Sequence, residues 1–182
     1  TTVRVGLVQW QMRPYKTLDD VFEQVEFFVD AVSDYKSDFI LFPEYFNAPL
    51  MAKFNHLGEA QSIRGLAQYT EEIRERFVNL AISYNINIIT GSMPLLKEDG
   101  ALYNVGYLIR RDGSYEMYEK VHVTPDEQKS WGLSGGKMVK TFDTDCARIG
   151  VLICYDVEFP ELARIMADQG MQILFVPFLT DT

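Results

Sequence analysis

The chain has 182 residues, enough for one domain with a real core. Lys plus Arg number 17 and Asp plus Glu 26, a formal charge of −9, which argues against nucleic acid or an anionic membrane surface as the main partner. Apolar residues make up 47% and charged residues 24%, a soluble globular mix. No apolar run approaches the roughly 20 residues of a membrane span, and the opening TTVRVGLVQ lacks the blocks of a signal peptide, so a cytoplasmic protein is expected.

Val3–Gln9 reads as a strand. Apolar residues at 18, 21, 22, 25, 28, 29, 32 and 35 then predict a helix with one buried face, with Thr17 as N-cap and Asp20 completing a capping box. Phe39–Phe42 is wholly apolar, as a strand covered on both sides would be, and Pro43 stops it. Asn47–Tyr69 has mixed character and reads as a long loop or a short helix. A second amphipathic helix follows over Thr70–Tyr84. Ile86–Ser92 is a strand, ended by Pro94. Leu102–Ile109 and Ser114–Glu119 are strands joined by a turn at Arg111-Asp112-Gly113. Lys120–Lys137 reads as a long loop. Val139–Phe142 and Arg148–Cys154 are strands, Pro160–Gln169 is a helix closed by Gly170, and Ile173–Val176 is the last strand. Strand–helix–strand units at both ends imply an α/β fold whose sheet is mainly parallel, made mixed by the central hairpins. The chain stops just after a strand, so a longer domain is expected to continue beyond Thr182.

The two cysteines, Cys146 and Cys154, flank one predicted strand. At roughly 3.3 Å per residue they stand about 26 Å apart, too far for a disulfide. Free thiols in a reducing compartment follow. With two histidines and no Cys-x-x-Cys or His-x-x-x-His spacing, no metal is expected.

Three reactive residues each follow a predicted strand: Glu44, Lys120 and Cys154. Ligands in α/β sheets gather at the carboxyl ends of strands, so parallel neighbours would bring all three into one crevice. The chemistry suits such a set. A thiol needs a base or a nearby cation to become a nucleophile at neutral pH. Glu44 can take the proton, Lys120 can hold an oxyanion, and the Tyr155 N–H can add a second donor. By itself Cys154, at the end of an apolar strand, reads as core; the other two residues reverse that reading.

The blocks Phe42-Pro43-Glu44, Tyr118-Glu119-Lys120-Val121-His122 and Cys154-Tyr155-Asp156-Val157-Glu158-Phe159-Pro160-Glu161 resemble the nitrilase superfamily of carbon–nitrogen hydrolases. Gln9 and Asn104 also resemble family positions. The resemblance implies an αββα sandwich, mixed sheets flanked by helices, in domains longer than this chain. It also implies a Glu-Lys-Cys triad that acts through a thioester without a cofactor. A small-molecule amide or N-carbamoyl substrate is implied, a nitrile less so, and so is a homodimer or larger homo-oligomer. It makes Glu127 a second glutamate beside the lysine; read from its residues alone, 126–129 is a charged loop. Tyr45, Phe178 and Thr180 are candidate pocket residues by position. His122 is either a hydrogen-bonding neighbour of Lys120, a rival base for the thiol, or a loop histidine. Asp156 is expected to cap the next helix or pair with Arg164. Cys146, in a polar turn, is expected to be structural.

Overall fold

The computed structural model describes residues 2–180. Its strands and longer helices run β1 (Val5–Leu7), α1 (Leu18–Asp34), β2 (Phe39–Leu41), α2 (Glu59–Ala67), α3 (Thr70–Tyr84), β3 (Asn87–Ile89), β4 (Met93–Leu96), β5 (Leu102–Ile109), β6 (Tyr115–Glu119), β7 (Leu133–Ser134), β8 (Phe142–Asp143), β9 (Arg148–Val151), α4 (Pro160–Asp168) and β10 (Ile173–Phe175). Two sheets form. In the first, β1, β2 and β3 are parallel, β5 is antiparallel to β3, β4 and β6, and β7 pairs with β5 in parallel. In the second, β9 pairs with β10 in parallel and with β8 antiparallel.

The period of two along each strand builds the layers. Ile40, Ile88, Val105, Tyr107 and Ile109 pack with Val21, Val25, Val29, Ile73 and Phe77 of α1 and α3. Their chain neighbours Phe39, Ile89 and Leu108 face the other way and meet Phe142, Ile149, Val151 and Phe175 of the second sheet. The Phe39 and Phe175 rings stand 5.3 Å apart across that seam. Leu152 and Leu174 turn outward onto Leu162 and Met166 of α4. Helix, sheet, sheet and helix follow in order, the expected αββα sandwich. With both faces covered, β2 is apolar throughout and β5 is apolar but for the buried Asn104 and its tyrosines.

Local signals hold where expected. The Asp20 N–H donates to Thr17 Oγ1 (3.1 Å) and the Thr17 N–H to Asp20 Oδ2 (2.9 Å), closing the capping box of α1. Pro160 opens α4 at its first turn, and Gly170 follows its end at φ +86°.

One open choice is decided and three expectations need correction. Asn47–Tyr69 takes its helical alternative: a 3-10 segment spans Ala48–Phe54 and α2 follows. The α2 pattern was masked because it buries Ser62 and Gly65, and a Cβ on Gly65 would lie 2.6 Å from the Phe54 ring. Pro94 does not end a strand but sits inside β4, opposite Asn104. It is tolerated because β4 is an edge strand among the described residues, with no second neighbour there awaiting its N–H. The loop over 120–137 contains a π-helical turn, Glu127–Trp131, and β7. Strand β9 stops at Val151, three residues short of Cys154, which instead opens a 3-10 turn, Cys154–Glu158.

Candidate active site

Glu44 lies in a turn that continues β2 and makes a parallel bridge to Ser92. The Tyr45 N–H donates to the Ser92 carbonyl (2.9 Å), and the Ser92 N–H to the Pro43 carbonyl (3.3 Å). This close approach requires glycine at 91, where φ is +72° and a Cβ would sit 2.0 Å from the Pro43 oxygen. Lys120 arrives by strand parity. Strand β5 reverses direction relative to β3, and β6 reverses again, so β6 ends on the same edge of the sheet as β2. Cys154 comes from the second sheet. The crevice therefore lies between two sheets; the expectation of parallel neighbours in one sheet does not hold.

Three charged side chains are buried together: Glu44 is 3% exposed, Lys120 1% and Glu127 6%. Lys120 Nζ donates to Glu44 Oε1 at 2.9 Å and to Glu127 Oε1 at 2.5 Å. Asn104 Nδ2 bridges the same carboxylates, at 3.0 Å from Glu44 Oε1 and 3.3 Å from Glu127 Oε2. The Tyr45 hydroxyl donates to Glu127 Oε2 (2.9 Å) and the Thr124 N–H to Glu127 Oε1 (3.1 Å). The Leu179 N–H reaches Glu44 Oε2 at 3.3 Å. Such burial persists only with this degree of pairing.

Burial opposes the charge on Lys120, but the Glu44 and Glu127 carboxylates outweigh it and hold the ammonium pKa above its ordinary value. Burial likewise pushes Glu127 up, and the Lys120 charge with the Thr124 and Tyr45 hydrogen bonds brings it below its usual 4.5. A depressed carboxyl stabilises the fold fully above the unfolded value of 4.5, and that contribution is lost as pH falls through the lower folded value. Glu127→Gln is therefore expected to flatten the acid limb of a plot of Tm against pH, measured by circular dichroism. An acid limb as steep as that of the native chain would contradict this.

The Cys154 thiol donates to the Leu179 carbonyl at 3.9 Å, and its N–H is fixed by the Pro177 carbonyl (2.9 Å). Its φ of +48° is a strained conformation for a residue with a side chain, held where a strand turns into a helical segment. Burial pushes its pKa up, as does the Glu44 charge, while Lys120 pulls the other way; the net shift is upward. The resting thiol is thus protonated at neutral pH and needs a base.

Glu44, Lys120 and Glu127 come together, and the Leu179 main chain links them to Cys154: its N–H reaches Glu44 and its carbonyl accepts from the thiol. Tyr45 lies at 5% exposure with its ring against Trp131 (5.4 Å), so it supports Glu127 and does not line an open pocket. The Tyr155 N–H stands in the first turn of the 3-10 segment, while its ring packs on Phe159 at 5.1 Å. The Phe178 and Thr180 side chains are exposed; the main chain of Leu179 between them makes the contacts. His122 Nδ1 pairs with Asp156 Oδ1 (3.1 Å), and its ring stacks on Phe159 at 3.7 Å. Asp156 neither caps α4 nor pairs with Arg164; it accepts from the loop after Lys120. Cys146 is a free thiol in contact with Thr144. Two participants were missed as such. Asn104 was visible beside the motifs without a role, and the Leu179 main chain carries no side-chain signal.

Residues 4–182 match the carbon–nitrogen hydrolase family profile. The chain is 45% identical over 179 residues to a probable hydrolase of Bacillus subtilis, YhcX, covering 98% of this chain and 35% of that protein. It is 33% identical over 190 residues to the human omega-amidase NIT2, covering 97% and 63%. Nit3 of Saccharomyces cerevisiae, a member of branch 10 of the nitrilase superfamily, superposes with a TM-score of 0.83 at 25% identity, covering 99% and 65%. A carbon–nitrogen hydrolase from Helicobacter pylori shares the fold at a TM-score of 0.86 and 21% identity, covering 99% and 61%. The chain thus spans about a third of the Bacillus protein and under two thirds of the others. By motif, fold and sequence profile, the chain belongs to the carbon–nitrogen hydrolase family of the nitrilase superfamily.

Proposed function

We propose that the chain carries the active site of a cysteine-dependent amidase that hydrolyses non-peptide carbon–nitrogen bonds through a thioester. The observation that carries this reading is the buried Glu44–Lys120–Glu127 set joined through the Leu179 main chain to a thiol in a strained turn. Glu44 removes the thiol proton as Sγ attacks the amide carbon. The carbonyl oxygen becomes an oxyanion, held by Lys120 Nζ and the Tyr155 N–H. An ammonium has three N–H donors; two are held by Glu44 and Glu127, which leaves the third for the oxyanion. The tetrahedral adduct collapses, the C–N bond breaks, and the amine leaves with the proton from Glu44. Glu44 then deprotonates a water, which attacks the thioester. The carboxylic acid departs and the sulfur regains its proton.

Amides and N-carbamoyl compounds are favoured over nitriles, in keeping with the similarity to an omega-amidase. A Cys-His hydrolase using His122 is disfavoured, because no hydrogen bond joins that ring to Cys154 among the described residues, whereas the Leu179 main chain joins Cys154 to Glu44. The two free thiols suit a reducing, cytoplasmic setting, and the reading includes a homodimer or larger homo-oligomer. The test is ammonia release from butyramide and from dicarboxylic acid monoamides. The native chain should turn over at least one of them and Cys154→Ala none. Equal rates in both would overturn the reading.

A further inference from the structure

Asp156 is 1% exposed, yet no lysine or arginine pairs with it among the described residues. Its carboxylate takes main-chain donors instead. The Val121 N–H reaches Oδ2 at 3.1 Å and the His122 N–H reaches Oδ1 at 2.7 Å, with His122 Nδ1 also 3.1 Å from Oδ1. Those two amides immediately follow Lys120. Asp156 itself lies two residues after Cys154 in the same 3-10 turn. One buried carboxylate therefore ties the segment bearing the lysine to the turn bearing the sulfur, though the two belong to different sheets.

The other main-chain bonds of Lys120 do not reach the nucleophile. Its N–H donates to the Asn104 carbonyl (2.9 Å), and its carbonyl accepts from the Gly136 N–H (2.8 Å). They fix Lys120 against β5 and its own loop. Packing between the sheets, such as Tyr118 on Phe142 at 6.5 Å, is apolar and weakly directional.

We propose that Asp156 is a positioning residue: by clamping the Val121 and His122 amides to the Cys154 turn, it sets where the Lys120 ammonium stands relative to the reacting carbon. The proposal deepens the amidase reading and rests on it. A misplacement of about 1 Å can lower a rate by about a hundredfold.

The test compares Asp156→Asn and His122→Gln in the full chain. Asparagine has one acceptor oxygen, and its NH2 group cannot receive an amide N–H, so one leg of the clamp is lost. For Asp156→Asn we expect kcat to fall roughly 10- to 100-fold with KM within about threefold. His122→Gln keeps both main-chain legs and is expected to lose less than about fivefold. A second readout needs no turnover: the pH midpoint of iodoacetamide alkylation at Cys154, followed by peptide mass spectrometry. It should move upward in Asp156→Asn, because Lys120 no longer stands where it favours the thiolate. Asp156→Ser, with one small acceptor, carries the same comparison if the asparagine variant does not fold.

The proposal is overturned by a folded variant with kcat within twofold of the native chain and an unmoved alkylation midpoint. It is also overturned by a loss in which that midpoint does not move, or if neither variant folds, since either marks a purely structural role. If the native chain hydrolyses no amide, the amidase reading fails, and the alkylation midpoints still report whether Asp156 holds Lys120 near the sulfur.

Discussion

Glu44→Gln is expected to lower kcat for amide hydrolysis by about a thousandfold or more, at the upper end of what general acid–base catalysis contributes. In the proposed mechanism Glu44 moves a proton in both halves of the reaction, and the isosteric amide can accept neither. The fold should survive, because Lys120 keeps Glu127 as its partner at 2.5 Å. The same substitution should make the thiol more reactive toward iodoacetamide. After burial, the Glu44 charge is what holds the Cys154 pKa up, so removing the charge lowers it. Faster alkylation together with lost turnover is a signature that general damage to the site would not produce. A steady-state assay and an alkylation time course at pH 7 to 8 read both quantities. Turnover within tenfold of the native chain would remove Glu44 from its role and favour a different base.

Lys120→Met should be the most destabilising substitution at the site. Methionine matches the length of the stem and removes the charge. Glu44 and Glu127, linked through Asn104, would then lie buried without a cation. Stranding buried charge in this way costs about 3–5 kcal/mol. At roughly 2–4 °C per kcal/mol for a chain of this size, Tm should fall by about 6–20 °C. Adding Glu127→Gln to Lys120→Met removes one of the two stranded charges and should recover part of that loss. Activity should stay lost in both, since the proposed oxyanion donor is gone in both. Thermal unfolding of the single and double variants checks this. A Tm of Lys120→Met within 2 °C of the native value would mean that the ion cluster is not what the geometry indicates.

The candidate constellation was legible because reactive residues after strands are unusual and three of them stood in family order. The sandwich came from the resemblance, and the apolar run Phe39–Phe42 independently marked a strand covered on both faces. What stayed hidden has physical causes. Strand β4 was hidden by Pro94, which is harmless only on an edge, and edges are not visible before the sheet is assembled. The left-handed turn at Cys154 had no glycine to announce it. The partners of Asp156 lie 34 and 35 positions away and are main-chain amides, which have no residue type to recognise. The Tyr45 hydroxyl, taken for pocket lining, turns inward to a glutamate 82 positions on. Side-chain direction at a left-handed residue such as Tyr45 is not readable from strand alternation.

The central claim is that Cys154 carries the acyl group. Incubating the native chain with a slowly hydrolysed amide, quenching in acid and mapping peptides by mass spectrometry tests it most directly. The account predicts an adduct equal to the substrate acyl group on the peptide that holds Cys154, absent in Cys154→Ala and labile to hydroxylamine. Continued turnover with no such adduct, or an adduct on Cys146 instead, would contradict it.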